Sequence, residues 1–98
     1  MGAYKLSPKA IQDLEDIWRY TAEHWSKAQA DRYLTSLFVG FEALEAGLGQ
    51  DVSDLLPGYH KKNLGAHLAL YRFEEEQLAI IVRVLHQRMD ITARLSDC

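Results

Sequence analysis

One cysteine in 98 residues, and that one at the last position, excludes an intramolecular disulfide framework and any cysteine-based metal cluster. Cys98 is expected to be an inert terminal thiol. No apolar run approaches the roughly 20 residues that a membrane-spanning helix needs; the longest, over 78–85, has Arg83 inside it. The first eight positions carry one Lys but no apolar stretch and no small-residue cleavage site, so no secretory signal is expected and the cytoplasm is the expected compartment. An excess of positive charge is also missing. Residues 1–58 hold five Lys/Arg against nine Asp/Glu and residues 59–98 hold six against five, giving the net −3. No overall field gathers nucleic acid, and any contact with a polyanion has to come from the second half. Turn formers are scarce, with two Pro and six Gly, while 48% of residues are hydrophobic and 26% charged. That is the composition of a folded globular chain. Its length predicts a single domain, 1–98, with a thin stability margin.

What is present is strongly periodic. Tyr4-Lys5-Leu6 alternates and reads as a short strand that needs a partner later in the chain. Ser7-Pro8 starts a helix, because Ser caps the first turn and Pro lacks only an N–H that would be unpaired there. Over 8–24, Ala10, Ile11, Leu14, Ile17, Trp18 and Thr21 form one apolar stripe, with Asp13, Glu15, Asp16 and Arg19 mostly outside it. Ser26-Lys27-Ala28-Gln29 has the form of a capping box and opens a second helix. Its stripe is Ala30, Tyr33, Leu34, Leu37, Phe38, Phe41 and Leu44, and Gly47 with Gly49 is expected to end it. With so short a connection the two helices must form a hairpin. Residues 50–58 read as a loop ending in Pro57-Gly58. Strands are predicted over 59–63, 66–73 and 78–85, joined by a turn at Gly65 and a solvated turn at 74–77, with a weakly periodic tail from 87 to 95. The expected architecture is α+β in the order β-α-α-β-β-β, a helical hairpin packed on a small twisted, mainly antiparallel sheet. The first strand is expected beside the one that follows the helices, and 78–85 is apolar enough to be central.

Alternation puts His67, Ala69, Tyr71 and Phe73 on one face of their strand and Leu68, Leu70 and Arg72 on the other, and either face could meet the helices. In the next strand, Ala79, Ile81, Arg83 and Leu85 are set against Leu78, Ile80, Val82, Val84 and His86. Arg83 is the odd residue. A charge in a buried strand needs a partner or a route to water, so it either pairs with a helix carboxylate or faces a partner on the open side of the sheet. The four histidines, 24, 60, 67 and 86, show no HExxH and no close pair, so neither metal nor cofactor is expected. Lys61, Lys62, Arg83, His86, Arg88 and Arg94 would suit a phosphate, with His67 or His86 to move protons, which keeps a ribonuclease in view. Trp18 and Trp25, seven residues apart, read first as hairpin packing.

Two stretches resemble the ParE toxins of the RelE/ParE superfamily. The first is Tyr4-Lys5-Leu6-Ser7-Pro8 with Ala10, Asp13-Leu14, Ile17-Trp18-Arg19-Tyr20-Thr21, Trp25 and Gln29-Ala30. The second is Pro57-Gly58-Tyr59, Gly65 through His67, Tyr71-Arg72 and Arg83-Val84-Leu85-His86-Gln87-Arg88-Met89-Asp90. The resemblance spans nearly the whole chain. It implies the same β-α-α-β-β-β fold, a ParD-like antitoxin as partner in a hetero-oligomer, DNA gyrase as target, no membrane role, and DNA contact only through antitoxin or gyrase. It also implies a topoisomerase poison and not an enzyme. Where RelE-type ribonucleases tend to have an Arg this chain has His67, and Arg94 stands where their terminal aromatic would be, although Arg88 matches another catalytic Arg. Within the ParE pattern, His60 replaces a usual Arg. On this resemblance the expected target-binding residues are Arg83, His86, Arg88, Met89, Asp90 and Arg94. An antitoxin lying across the hairpin and adjoining sheet would meet Trp18, Trp25, Tyr33, Leu37, Phe41, His67, Tyr71 and Arg72. A ribosome-dependent mRNA endoribonuclease, or a non-toxic member that only forms a regulatory complex, are the alternatives.

Overall fold

The computed structural model describes residues 3–44, 50–51, 58–75 and 78–86. Strand β1 (Ala3–Leu6) leads into helix α1 (Pro8–His24) and helix α2 (Lys27–Glu42), followed by β2 (Gln50–Asp51), β3 (Tyr59–Leu64), β4 (His67–Glu75) and β5 (Leu78–His86). The five strands make one sheet in the order β1-β5-β4-β3-β2, with β1 parallel to β5 and every other pair antiparallel. Both helices begin as the sequence dictates. Ser7 Oγ accepts from Ala10 N at 3.0 Å and Ser26 Oγ from Gln29 N at 3.0 Å, each cap contributing about 1 kcal/mol.

Four expectations are corrected. β1 lies beside β5 and not beside β3: β5 is apolar because it is interior, and it needs a second neighbour for the edge that β4 leaves open. The Ser7 amide continues that ladder to Ile81 O at 2.9 Å, and its hydroxyl donates to Val82 O at 2.7 Å. Within the stretch read as loop, Gln50 and Asp51 pair with Lys61 and His60; two residues carry no periodicity to read. β4 continues through Glu75, into the expected turn. Gly47, Gly49, residues 52–57, the rest of that turn and the tail from 87 lie outside the described residues.

The fourth correction concerns the phase of β5. Leu70 stands opposite Arg83 and Tyr71 opposite Ile81, so Val82 is an extra residue, a β-bulge. The bulge shifts the alternation by one. Ala79, Ile81 and Val84 all join the core under the helices with Leu14, Leu37, Phe41, Ala69 and Tyr71, whereas Leu85 packs with Leu68 and Leu70 in a second cluster on the other face. The His67 face of β4 is therefore the one that meets the hairpin.

Candidate partner-binding groove

Beyond the bulge, His86 follows Val84 onto the helix side and stands directly across from His67, the two rings edge to face with centroids 5.4 Å apart. With Asp16, Ile17, Tyr20 and Thr21 from the later half of α1, Trp25 from the connection, Gln29, Arg32 and Tyr33 from α2, and Ala66 before β4, they line a groove of about 1010 Å³. Its floor is fixed by Tyr33. That hydroxyl takes the Ala66 amide at 3.2 Å and bonds His67 Nδ1 at 2.6 Å. The turn beneath it needs Gly65, whose φ is +62° and where a Cβ would lie 3.1 Å from the Tyr33 ring. Burial, and then the neighbouring His86, push the His67 pKa down, while burial pushes the Tyr33 phenol up. His67 is therefore neutral near pH 7. One wall is aromatic and open to solvent: Tyr20 is 61% exposed and Trp25 70%. The Tyr20 ring stacks on His24 at 3.9 Å, and His24 Nδ1 is itself bonded to Tyr20 O, which holds the pair in one geometry.

The residues expected to meet an antitoxin are only partly brought together here. Trp25, Tyr33 and His67 line the groove. Leu37, Phe41 and Tyr71 do not face a partner at all; at 1, 1 and 0% exposure they are the chain's own core. The helical stripe that made Leu37 and Phe41 conspicuous is the stripe the sheet covers. Trp18 sits on the other side of the hairpin, where its Nε1 donates to Asp31 at 2.9 Å, in a second hollow of about 530 Å³ with Leu6, Ile11, Leu14, Glu15, Leu34, Thr35 and Phe38. Arg72, next to inward-facing Tyr71 and paired with Tyr59 and Ile80, belongs to the opposite face of the sheet.

Of the expected target-binding residues, Arg88, Met89, Asp90 and Arg94 lie outside the described residues, and His86 is at the groove. Of the two readings open for Arg83, the geometry carries the ion pair with a helix carboxylate. Its Nε and Nη2 reach the two Asp13 oxygens at 2.8 and 2.9 Å, and Asp13 also accepts the Val84 amide at 3.0 Å. With side chains 12 and 13% exposed, this forked pair ties α1 to β5. Tyr20, Gln29 and Arg32 were missed because they flank the apolar stripes; the legible sign was an aromatic, Tyr20, on a polar flank. Among the described residues no group of three His, Cys, Asp or Glu could hold a metal ion, and no helix is long and apolar enough to cross a membrane.

A family profile described as the ParE toxin of the type II toxin–antitoxin system parDE matches residues 4–91. The chain belongs to the ParE toxin family. Toxin ParE1 of Mycobacterium tuberculosis is 39% identical over 94% of this chain and 96% of its own length. Toxin ParE of Escherichia coli is 37% identical over 99 and 96%, and Toxin ParE1 of Caulobacter vibrioides 37% over 97 and 99%. In a solved structure described as the chromosomal ParDE TA system from P. aeruginosa, one chain shares this fold with a TM-score of 0.73 over 88% of this chain and 96% of that one, at 20% identity. The ParE-like stretches meet in space. Asp13 of the first clasps Arg83 of the second, and Gly65 and His67 frame Tyr33, so much of what resembles ParE is what positions the groove.

Proposed function

We propose that this ParE-family toxin arrests growth by trapping DNA gyrase on cleaved DNA in the cytoplasm, and that a ParD-type antitoxin silences it by laying a segment along the groove between the hairpin and the starts and ends of β4 and β5. The family match over residues 4–91 carries the reading. The groove supports its second half: a large concavity with two exposed aromatic side chains is the kind of surface that a segment folding on binding can cover. His86, Arg88, Met89, Asp90 and Arg94 are the proposed target contacts. The ribonuclease alternative loses ground on geometry, because Arg83 is committed to Asp13 and His67 Nδ1 to Tyr33.

The test is induction of the chain without antitoxin in a bacterial host, with double-strand DNA breaks and messenger RNA followed together. DNA breaks with intact message support gyrase poisoning. Rapid message loss with undamaged DNA overturns it in favour of a ribonuclease, and normal growth overturns it in favour of a member that only forms a regulatory complex. Deleting residues 89–98 is expected to remove growth arrest and leave antitoxin binding; a truncated chain that stays fully toxic sinks the assignment of the tail.

A further inference from the structure

In the sequence His67 and His86 stand far apart with no metal-ligand spacing, and only the β4–β5 ladder makes them neighbours. Directly opposed residues of an antiparallel pair have Cα atoms about 5 Å apart, so the backbone itself fixes this pair. The bulge at Val82 then turns His86 to the same side as His67. The ring centroids lie 5.4 Å apart with the planes at 80°. Two imidazoles that share one tetrahedral cation, each nitrogen about 2 Å from the metal, have centroids about 5.2 Å apart. Rotation of the rings is all that separates the observed pair from a chelate. One ring is also supported from behind: His67 Nδ1 is bonded to the Tyr33 hydroxyl at 2.6 Å, and that oxygen takes the Ala66 amide at 3.2 Å. A hydrogen bond at one imidazole nitrogen orients the ring and presents the other nitrogen, which is how metal-binding histidines are held. Both rings line the groove and are half-buried, so ions reach them from solvent. The other two histidines have no such arrangement. His24 lies stacked on Tyr20 with its Nδ1 bonded to Tyr20 O, and His60 lies stacked on Tyr71.

We propose that His67 and His86 form a binding site for a borderline transition-metal cation, Zn²⁺ above all, which is held by His67 Nε2 and one ring nitrogen of His86, with Tyr33 as the outer partner that positions His67. Imidazole suits zinc, copper and nickel, whereas magnesium and calcium take oxygen ligands, so the pair selects the first group. Among the described residues no third His, Cys, Asp or Glu joins the two. The remaining coordination positions face the groove and are filled by water, which makes this an exchangeable site and not a structural zinc. The proposal does not rest on the toxin reading. A chain that binds the cation but does not arrest growth keeps the site and loses that reading; a chain that traps gyrase and binds no cation does the reverse.

The experiment is calorimetric titration of Zn²⁺ into the purified full-length chain, prepared without a histidine tag at neutral pH, with Mg²⁺ as the hard-cation control. Wild type is expected to bind one Zn²⁺ per chain and no Mg²⁺. Affinity is expected to fall about tenfold or more in His67→Gln and in His86→Gln, and about tenfold in Tyr33→Phe, whose hydroxyl supports a ligand without being one. His24→Gln and Cys98→Ser should bind as wild type does, since neither residue is part of the pair. Zn²⁺ should raise the urea midpoint of wild type, because it binds the folded chain preferentially, and leave the midpoints of His67→Gln and His86→Gln where they are without metal. A cooperative urea transition in each metal-free variant establishes that it is folded. Cu²⁺ bound to wild type should show magnetic coupling to two imidazole nitrogens by electron paramagnetic resonance, and to one in His86→Gln. Absence of Zn²⁺ binding overturns the proposal, as do equal affinities in wild type and His86→Gln, binding that disappears in Cys98→Ser, or Mg²⁺ bound as well as Zn²⁺. A Tyr33→Phe chain with wild-type affinity overturns the positioning role of Tyr33.

Discussion

The two ends of α1 meet the sheet on different terms. At the first end polar groups are answered within the chain: Ser7 bonds the carbonyls of Ile81 and Val82, and Asp13 takes the Arg83 guanidinium and the Val84 amide together. At the other end Tyr20, His24 and Trp25 stand in solvent above a groove. The two arginines show the same division. Arg83 is nearly buried and doubly bonded to a carboxylate; Arg32 is exposed and has no ion pair among the described residues. Groups that hold a fold are satisfied within the chain, and groups that bind a partner are left to be satisfied by it.

The sharpest way to break that comparison is to truncate one aromatic from each class. Phe41→Ala, in the core at 1% exposure, is expected to cost about 4 kcal/mol in urea unfolding, whereas Trp25→Ala should change stability by no more than about 0.5 kcal/mol and instead weaken partner binding. A Phe41→Ala chain of near-wild-type stability with lost antitoxin binding would return Phe41 to the partner surface. Next in size, Asp13→Ala leaves Arg83 nearly buried without its carboxylate and is expected to cost about 3 kcal/mol. The Asp13→Leu, Arg83→Met double variant should lose less than Asp13→Ala alone, because no charge is then left without its counter-charge. If Asp13→Ala instead kept full stability and lost only toxicity, the pair would belong to the target surface. Smaller again, Ser7→Ala removes a cap and the bond to Val82 O, and about 1 kcal/mol is expected from the cap, read as a lowered urea midpoint.

Where one local rule decided the outcome, it was legible in the residues. Ser7-Pro8 and Ser26 set both helix starts, and the apolar spacing of Leu14, Ile17, Leu34 and Leu37 set the faces that are buried. Long-range pairing was not. Nothing in Tyr4-Lys5-Leu6 says that its neighbour lies at the far end of the chain, and no period marks Val82 as the extra residue that turns Val84 and His86 toward the helices. The functional set suffered in the same way. A stripe at three- and four-residue spacing names the side that will be covered, so Leu37 and Phe41 were drawn into the partner surface for the property that hides them. Arg83 was one of two open readings, and only the approach of Asp13 chose between them. Arg32 sits beside the stripe, where residue type alone does not separate it from any solvated cation.

The smallest expected effect lies at the floor of the open end. His67 is held below its ordinary pKa of 6.5, first by burial and then by the charge of His86. The folded chain therefore binds that proton less readily than the unfolded chain does. As pH falls through about 6.5 the unfolded chain gains protons that the folded one refuses, and stability declines until the folded value is passed. Above 6.5 the site is neutral in both states and nothing is lost. His67→Gln removes the titration and keeps an amide able to bond the Tyr33 hydroxyl, so urea midpoints of the two chains should lie closest near neutral pH and separate as the solution is made more acidic, the wild type falling further. The groove is open to water, which screens the effect and keeps it below that of the cap. Two curves that run parallel from neutral to acid pH would mean that His67 is solvated as fully in the folded chain as in the unfolded one. The floor of the groove would then be as wet as its rim, and the division between a sealed and an open end of α1 would have to be drawn at Ile17 instead of at Tyr33.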